Sequence, residues 1–579
     1  MKKLALLFLL ASCSGTTANA PAAKGDPPPS IVLIVTDDQG YGDLGATGNR
    51  VIDTPHMDAL ARDGAGIETF YVSPVCAPTR ASLMTGRYNY RTRVVDTWVG
   101  RAMMEPDETT VAEVLRDAGF ATGIFGKWHL GDSHPMRPMD QGFEESLVHL
   151  GGGLAQPSEP PENGRRYTNP ILFQNGAPVH THGYCTDVYF DAALKWISEV
   201  HKAGRPFFVY LPTNAPHGPF HDVPQALYEK YLGRDLGPVL LGGAGDRDRV
   251  ARVFAMIENI DQNVGRLIDK LDTLGIGDDT LVVFMVDNGP NSVRYVGNMR
   301  GKKGEVYEGG IRSPFFLRWP ARLKAGRKSD RIAAHVDVMP TLLEAAGVAL
   351  PKGLKLDGRS LLPLVEGKKV AWPDRTIFIQ AHRGDRPLPY HHFAARSQRW
   401  KLIRPTGFSN ERPSKDAPFE LYDMANDPRE EHDLAAQRPE VTAALRERYD
   451  AWFRDVSSTR PHNYEPPRIV IGTDHETTTL LTKQNWRRSE GPGWGVRGRW
   501  LVHVARAARF DATVRLKEAL RGRAELRIGS ARAAVEATGL EQSLTFRNLR
   551  VPAGDAEVEF TLTHQGKTSG PHQVVLTRQ

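Results

Sequence analysis

Cysteine is nearly missing from this chain: 579 residues hold three, Cys13, Cys76 and Cys185. A chain with so few thiols has no disulfide framework to hold it together. Cys76 and Cys185 are free to pair, but a buried, inert Cys185 is the simpler expectation. Long apolar runs are missing too. "LALLFLLA" near the start is too short to span a bilayer, and no later segment reaches the ~18 apolar residues of a membrane helix. The net charge is only +6, with Lys2 and Lys3 at the extreme N-terminus. Basic residues are scattered, with no dense Lys/Arg block, so a nucleic-acid partner is not favoured. A small anionic group held by a few placed cations fits better. No long-period repeat is visible.

What is present begins with an export signal: "MKK" as its charged region and "LALLFLLA" as its apolar core. "LASC", Leu10 to Cys13, is similar to a bacterial lipobox, which implies lipidation of Cys13 and attachment to a membrane by one anchor. Cleavage after "ANA", at Ala20, is the alternative and leaves a periplasmic protein. Residues 1–20 are therefore read as leader and start of a Pro/Gly-rich linker.

From 21 to 375 the pattern is α/β. Short apolar runs, as expected of buried parallel strands, alternate with helical segments such as 109–119 and 249–275. Four runs end in polar, ligand-type residues: "IVLIVT" in Asp37-Asp38, "ATGIFG" in Lys127-Trp128-His129, "PFFVYL" in a segment with His217, and "TLVVFMV" in Asp287-Asn288. Any one ending is also ordinary turn chemistry. Together they predict one site at the C-terminal edge of an open sheet. Residues 376–460 read as a smaller antiparallel α+β subdomain with a helix over 439–456. Residues 461–579 read as an accessory β-sandwich, with six alternating runs between Gly and Pro signals.

Asp37, Asp38, Asp287 and Asn288 offer hard oxygens, which suit calcium or magnesium. Zinc would want imidazole or thiolate in a tight shell. Arg80, Lys127, Lys303, His129 and His217 form a cationic or switchable set for an oxyanion, with histidines as acid and base. The combination points to hydrolysis of a sulfate or phosphate ester. Cys76 does not fit a cysteine-phosphatase loop. Its spacing to Arg80 is too short, and Pro78 removes a backbone donor. A lone cysteine is by default a buried structural residue, but its flanking context is not explained that way.

The stretch "CAPTRASLMTGR" resembles the signature of the formylglycine-dependent type I sulfatases of the alkaline phosphatase superfamily. The resemblance spans about residues 29–455 and includes, in order, "VLIVTDDQGYGDLGATGN", "TPHMDALARDG", "GKWHLG", "NAPHGPF", "VDNG", "KKGEVYEGGIRSP" and "ELYDMANDPREEHDL". It implies an alkaline phosphatase-like fold, with a central, largely parallel mixed sheet flanked by helices. It implies that a formylglycine-generating maturation enzyme oxidises Cys76 in the unfolded chain. Asp37, Asp38, Asp287 and Asn288, with the modified Cys76, are implied as calcium ligands. The aldehyde would hydrate to a geminal diol whose hydroxyl attacks sulfur. Arg80 is implied to stabilise that hydroxyl. Lys127 and Lys303 are implied to clamp sulfate oxygens, His217 to help the leaving oxygen, and His129 to help eliminate sulfate from the resulting hemiacetal.

Stretches 93–108, 131–187 and 382–398 fall where the family varies and are expected to build the substrate pocket. Within them Trp98 and Tyr390 are candidates to stack on a sugar. Arg165, Arg166, His391 and His392 are candidates to meet hydroxyls or further sulfates. The expected substrate is a sulfated carbohydrate. The alternatives are a phosphonate or phosphate monoester hydrolase with the same site, and an unmatured carbohydrate-binding protein using Trp486, Trp494 and Trp500.

Overall fold

A computed structural model describes residues 28–243, 246–414, 416–460 and 464–579. Cys13 and the expected leader lie outside the described residues. Among the described residues no helix is long and apolar enough to cross a membrane.

The four apolar runs form strands β1 (Ser30–Thr36), β2 (Ala121–Lys127), β3 (Phe207–Pro212) and β4 (Thr280–Val286). They lie side by side in the order β4-β1-β3-β2 within a ten-stranded sheet, and every pairing among them is parallel. Their C-terminal ends therefore share one edge. Ile31 sits between Phe208 and Leu281, and Thr36 reaches Val286. These strands are almost wholly buried, which explains why they read as unbroken apolar runs rather than alternating ones. The sheet is mixed, because Phe315–Arg318 pairs antiparallel with β4.

Helices cover both faces. The expected long amphipathic helix runs Arg247–Thr273 and buries Val250, Phe254, Ile257, Ile260, Val264, Leu267 and Leu271 in one core. On the other face lies helix α1 (Cys76–Thr85), all ten residues of which are buried. The helix begins at Cys76, and Pro78 falls in its first turn, where a missing N–H breaks no helical bond. Gly86 ends it at φ 65°, a left-handed conformation suited to glycine.

Strands Ile377–Gln380, Phe393–Arg396, Trp400–Arg404 and Glu420–Asp423 form an antiparallel sheet, sharing a core with Leu445, Tyr449 and Trp452 of helix Pro439–Ser457. Beyond residue 468 the chain folds into one sheet of seven strands and one of four. All six expected strands are present. Trp486 and Trp500 are core residues, and Val99, Met103 and Met136 from the N-terminal part enter that same core. Cys76 and Cys185 are both free and buried.

Candidate active site

The strand ends bring their polar residues together. Asp37 and Asp38 follow β1, and Asp287 and Asn288 follow β4. The Asp38 N–H donates to Asp287 Oδ1 at 3.2 Å, tying the two ends. Asp38 and His129 adopt left-handed backbone, φ 64° and 63°, which turns the chain sharply at each strand end. Lys127 Nζ lies 2.6 Å from Asp37 Oδ2, Lys303 Nζ 2.5 Å from Asp38 Oδ1, and Asn288 Nδ2 2.9 Å from the same Asp38 oxygen. His217 Nε2 is 3.7 Å from Asp38 Oδ2. Helix α1 adds Arg80, four residues after Cys76 and on the same face. Its Nη2 donates to Asp287 Oδ2 at 2.7 Å and its Nη1 to the Lys127 carbonyl at 3.3 Å.

The electrostatics follow from burial and neighbours. Burial raises the Asp287 carboxyl to about 6, with Asp37 adding repulsion. Burial also acts to raise Asp38, but Lys303 and His217 outweigh it and hold that carboxyl well below its usual range. The Cys76 thiol is pushed up, chiefly by burial. His217 is pushed down to about 4, first by burial and then by Lys303 and Lys127. His129 is driven well below its ordinary value by burial and Lys127.

The donor set fits a cation. Ligand atoms of Asp37, Cys76 and Asp287 lie within 4.8 Å of one another. Asp37 Oδ1 and Asn288 Oδ1 are buried oxygens with no hydrogen-bond partner. Buried oxygens left unpaired beside three carboxylates are expected where a hard metal binds.

Cys76 is 2% exposed and sits with His129, His217 and Lys303 in a cleft of about 500 Å³. Val75 caps α1 with no side-chain hydrogen bond, so the first-turn N–H groups are not taken by a cap side chain. The cleft wall contains residues that the sequence did not single out: Thr97, Gln156, Glu305, Arg383, Phe408 and Ser409. Arg383 donates to Asp96 Oδ1 at 2.6 Å and to Thr97 Oγ1 at 3.1 Å, and its guanidinium covers the Trp98 ring at 4.1 Å. Arg383 and Gln156 lie inside stretches expected to vary, but nothing local marked them out.

The expected sugar contacts need correction. His391 spends both ring nitrogens on Thr406 Oγ1 and the Asn410 carbonyl, at 2.5 and 2.6 Å. His392 donates from Nε2 to the Gly304 carbonyl at 2.7 Å and accepts from the Gly407 N–H at 3.0 Å. Both are buried pins that shape the wall. Tyr390 stacks on Tyr449 with centroids 4.7 Å apart, and its hydroxyl donates to Asp450. Trp98 lies behind Arg383 and packs edge-on to Trp494. Arg165 and Arg166 are exposed and do not line the cleft.

Comparison with known proteins agrees with this geometry. The Sulfatase family model matches residues 29–348, and a model described as N-sulphoglucosamine sulphohydrolase, C-terminal, matches 302–453. N-acetylgalactosamine-6-sulfatase of Canis lupus familiaris is 33% identical over 410 residues, covering 66% of this chain and 72% of that protein. Arylsulfatase A of Homo sapiens is 31% identical over 463 residues, covering 72% of this chain and 87% of that protein. Among solved structures, Ps i-CgsB in complex with k-i-k-neocarrahexaose has a TM-score of 0.64 at 27% identity, covering 76% of this chain and 95% of that one. The phosphonate monoester hydrolase of Agrobacterium radiobacter shares the fold, with a TM-score of 0.53 at 22% identity over 74% of this chain and 95% of that one. With its strand-end carboxylates, its buried Cys76 and these relatives, the chain belongs to the sulfatase family, as a type I sulfatase that hydrolyses sulfuric esters.

Proposed function

We propose that this sulfatase acts on a sulfated carbohydrate, with Cys76 converted to formylglycine and calcium as its metal. The observation that carries this reading is the placement of Cys76. It begins a buried helix, opens into the cleft, and shares the cation cluster with Asp37 and Asp287. Burial raises the thiol's pKa and so holds an unmodified Cys76 in its protonated, weakly nucleophilic form. All of residues 76–85 are buried, which fits recognition of "CAPTR" by a maturation enzyme before folding.

Hydrated formylglycine would supply two hydroxyls on one carbon, one to attack sulfur and one to expel sulfate afterwards. Calcium held by Asp37, Asp38, Asp287, Asn288 and the oxidised Cys76 would polarise the sulfate oxygens. The remaining work falls to the chain's own side chains. Lys127 and Lys303 are fixed by Asp37 and Asp38, so their charges are preorganised for the equatorial oxygens. Arg80, clamped by Asp287, holds positive charge beside residue 76. His217 donates from Nδ1 to the Gly218 carbonyl at 2.8 Å, which leaves Nε2 to serve the leaving oxygen. His129 accepts the proton released as sulfate departs.

A carbohydrate substrate is supported by the N-acetylgalactosamine-6-sulfatase relatives and by the neocarrahexaose bound to Ps i-CgsB. Gln156, Ser409, Arg383 and Phe408 give the cleft polar groups and an aromatic face suited to sugar hydroxyls and rings. The leader motifs support export, with lipid attachment at Cys13 or cleavage after Ala20 and a periplasmic product. Two measurements test the reading. Mass spectrometry across Cys76 in protein from its native host is expected to show formylglycine. Defined sulfated saccharides are expected to be desulfated far faster than matched phosphate monoesters. An unmodified thiol, or a large preference for phosphate or phosphonate, sinks it.

A further inference from the structure

A side chain of the C-terminal sheets reaches the chemistry. Gln484 follows strand Thr478–Thr482 and is 1% exposed. Its Nε2 donates to the Thr97 carbonyl at 2.9 Å. The same carbonyl lies 2.8 Å from His129 Nε2, and Gln484 Nε2 lies 3.3 Å from that ring nitrogen. A carbonyl oxygen only accepts, so His129 Nε2 carries the hydrogen, and two donors share the two lone pairs of Thr97. The opposite tautomer would set a nitrogen lone pair against the carbonyl. Nδ1 is then the nitrogen left over, and it has no protein partner.

Thr97 lies in no helix or strand, so its carbonyl needs outside support. Val99 takes φ 44°, a left-handed conformation that β-branched residues avoid. Arg383 holds the Thr97 hydroxyl, and C-terminal residues hold the segment that follows. The Gly100 N–H donates to the Gln484 carbonyl at 2.8 Å, and Arg487 donates to the Val99 carbonyl at 2.8 Å. Trp98 packs on Trp494.

We propose that Gln484 is a positioning residue for the sulfatase reaction. Through the shared Thr97 carbonyl it holds His129 in the Nε2–H tautomer and leaves Nδ1 as the unpartnered nitrogen that can accept a proton. This rests on the reading of His129 as proton acceptor. It makes the C-terminal sheets part of the active site rather than an appended sugar-binding module.

The test uses the full chain and two variants, Gln484→Ala and the volume-conserving Gln484→Met, neither of which can donate. One readout is independent of turnover. In protein labelled with 15N-histidine, the His129 signals, assigned by their loss in His129→Gln, are expected to show a single Nε2–H tautomer in the parent. The variants are expected to show signals averaged between tautomers. The other readout is hydrolysis of an aryl sulfate, where kcat is expected to fall about 10-fold and KM to change less than about twofold. Should Gln484→Ala fail to fold, Gln484→Met decides. A folded variant with the parental tautomer and parental kcat overturns the proposal. If His129→Gln itself keeps parental turnover, the reading of His129 fails instead, and the tautomer measurement still judges Gln484.

Discussion

His217 has one nitrogen committed to the Gly218 carbonyl and one left for the substrate. Burial and the nearby lysines keep it neutral in the free enzyme, at about 4. A bound sulfate ester brings negative charge and draws the imidazole back toward its protonated form. Nε2 can then protonate a departing alkoxide. His217→Ala is therefore expected to lower kcat about 100-fold or more on a sugar sulfate, whose leaving alcohol needs that proton. On 4-nitrophenyl sulfate, whose leaving group needs none, the loss is expected to stay under about 10-fold. Equal losses on both substrates would leave His217 as a sulfate contact only. The core site was legible at this scale because each residue ends an apolar run or sits in a dense motif. The wall was not. Tyr390, His391 and His392 look like a ligand set, yet their partners are Tyr449, Asn410 and Gly304, which no local pattern connects to them.

Lys303 owes its place to the element that carries it as well as to its ion pair with Asp38. The turn that carries it is tied on three sides: the Lys303 N–H donates to the Pro290 carbonyl at 2.9 Å, the Gly304 N–H to the Pro74 carbonyl at 2.8 Å, and His392 to the Gly304 carbonyl. Against it lies the short helix Glu308–Ile311. A Cβ on Gly310 would stand 2.0 Å from the Glu305 carbonyl oxygen and 2.6 Å from that of Lys302. Both obstacles are backbone, so Gly310→Ala must move the turn. The expected result is a kcat reduced at least about 10-fold by displacement of Lys303, with affinity for the metal reduced less. Parental activity in a folded Gly310→Ala would show that Lys303 is not placed by this packing. Elements were readable where burial leaves a strong imprint, as in the four parallel strands. The strand Ala531–Thr538, "ARAAVEAT", escaped notice because it is alanine-rich and forms the edge of its sheet.

Across the whole molecule, the joint between the α/β part and the C-terminal sheets carries charge that a stable interface would not need. Residues 132–137 dock there. Ser133 donates to the Leu480 carbonyl at 3.1 Å, Arg137 pairs with Glu476 at 3.3 Å, and Thr482 donates to Asp132 at 3.3 Å. This joint was invisible in the sequence, since its contacts link segments more than 300 positions apart and follow no period. Asp132 is 6% exposed, and burial, with Glu159 adding repulsion, raises its carboxyl to about 7. An acid whose folded pKa exceeds its unfolded value binds an extra proton in the native state. Its contribution is most favourable below the unfolded pKa, near 4, and is lost as pH climbs toward 7. Asp132→Asn removes that loss while keeping an acceptor for Thr482. The variant is expected to match the parent in unfolding free energy near pH 4 and to exceed it at pH 8 by on the order of 1–3 kcal/mol. Chemical denaturation of both proteins across that range measures the difference directly. A parent that is more stable than Asp132→Asn at pH 8 would mean that the carboxylate is ionised and paired in the folded chain, and that the joint is held by charge rather than strained by it.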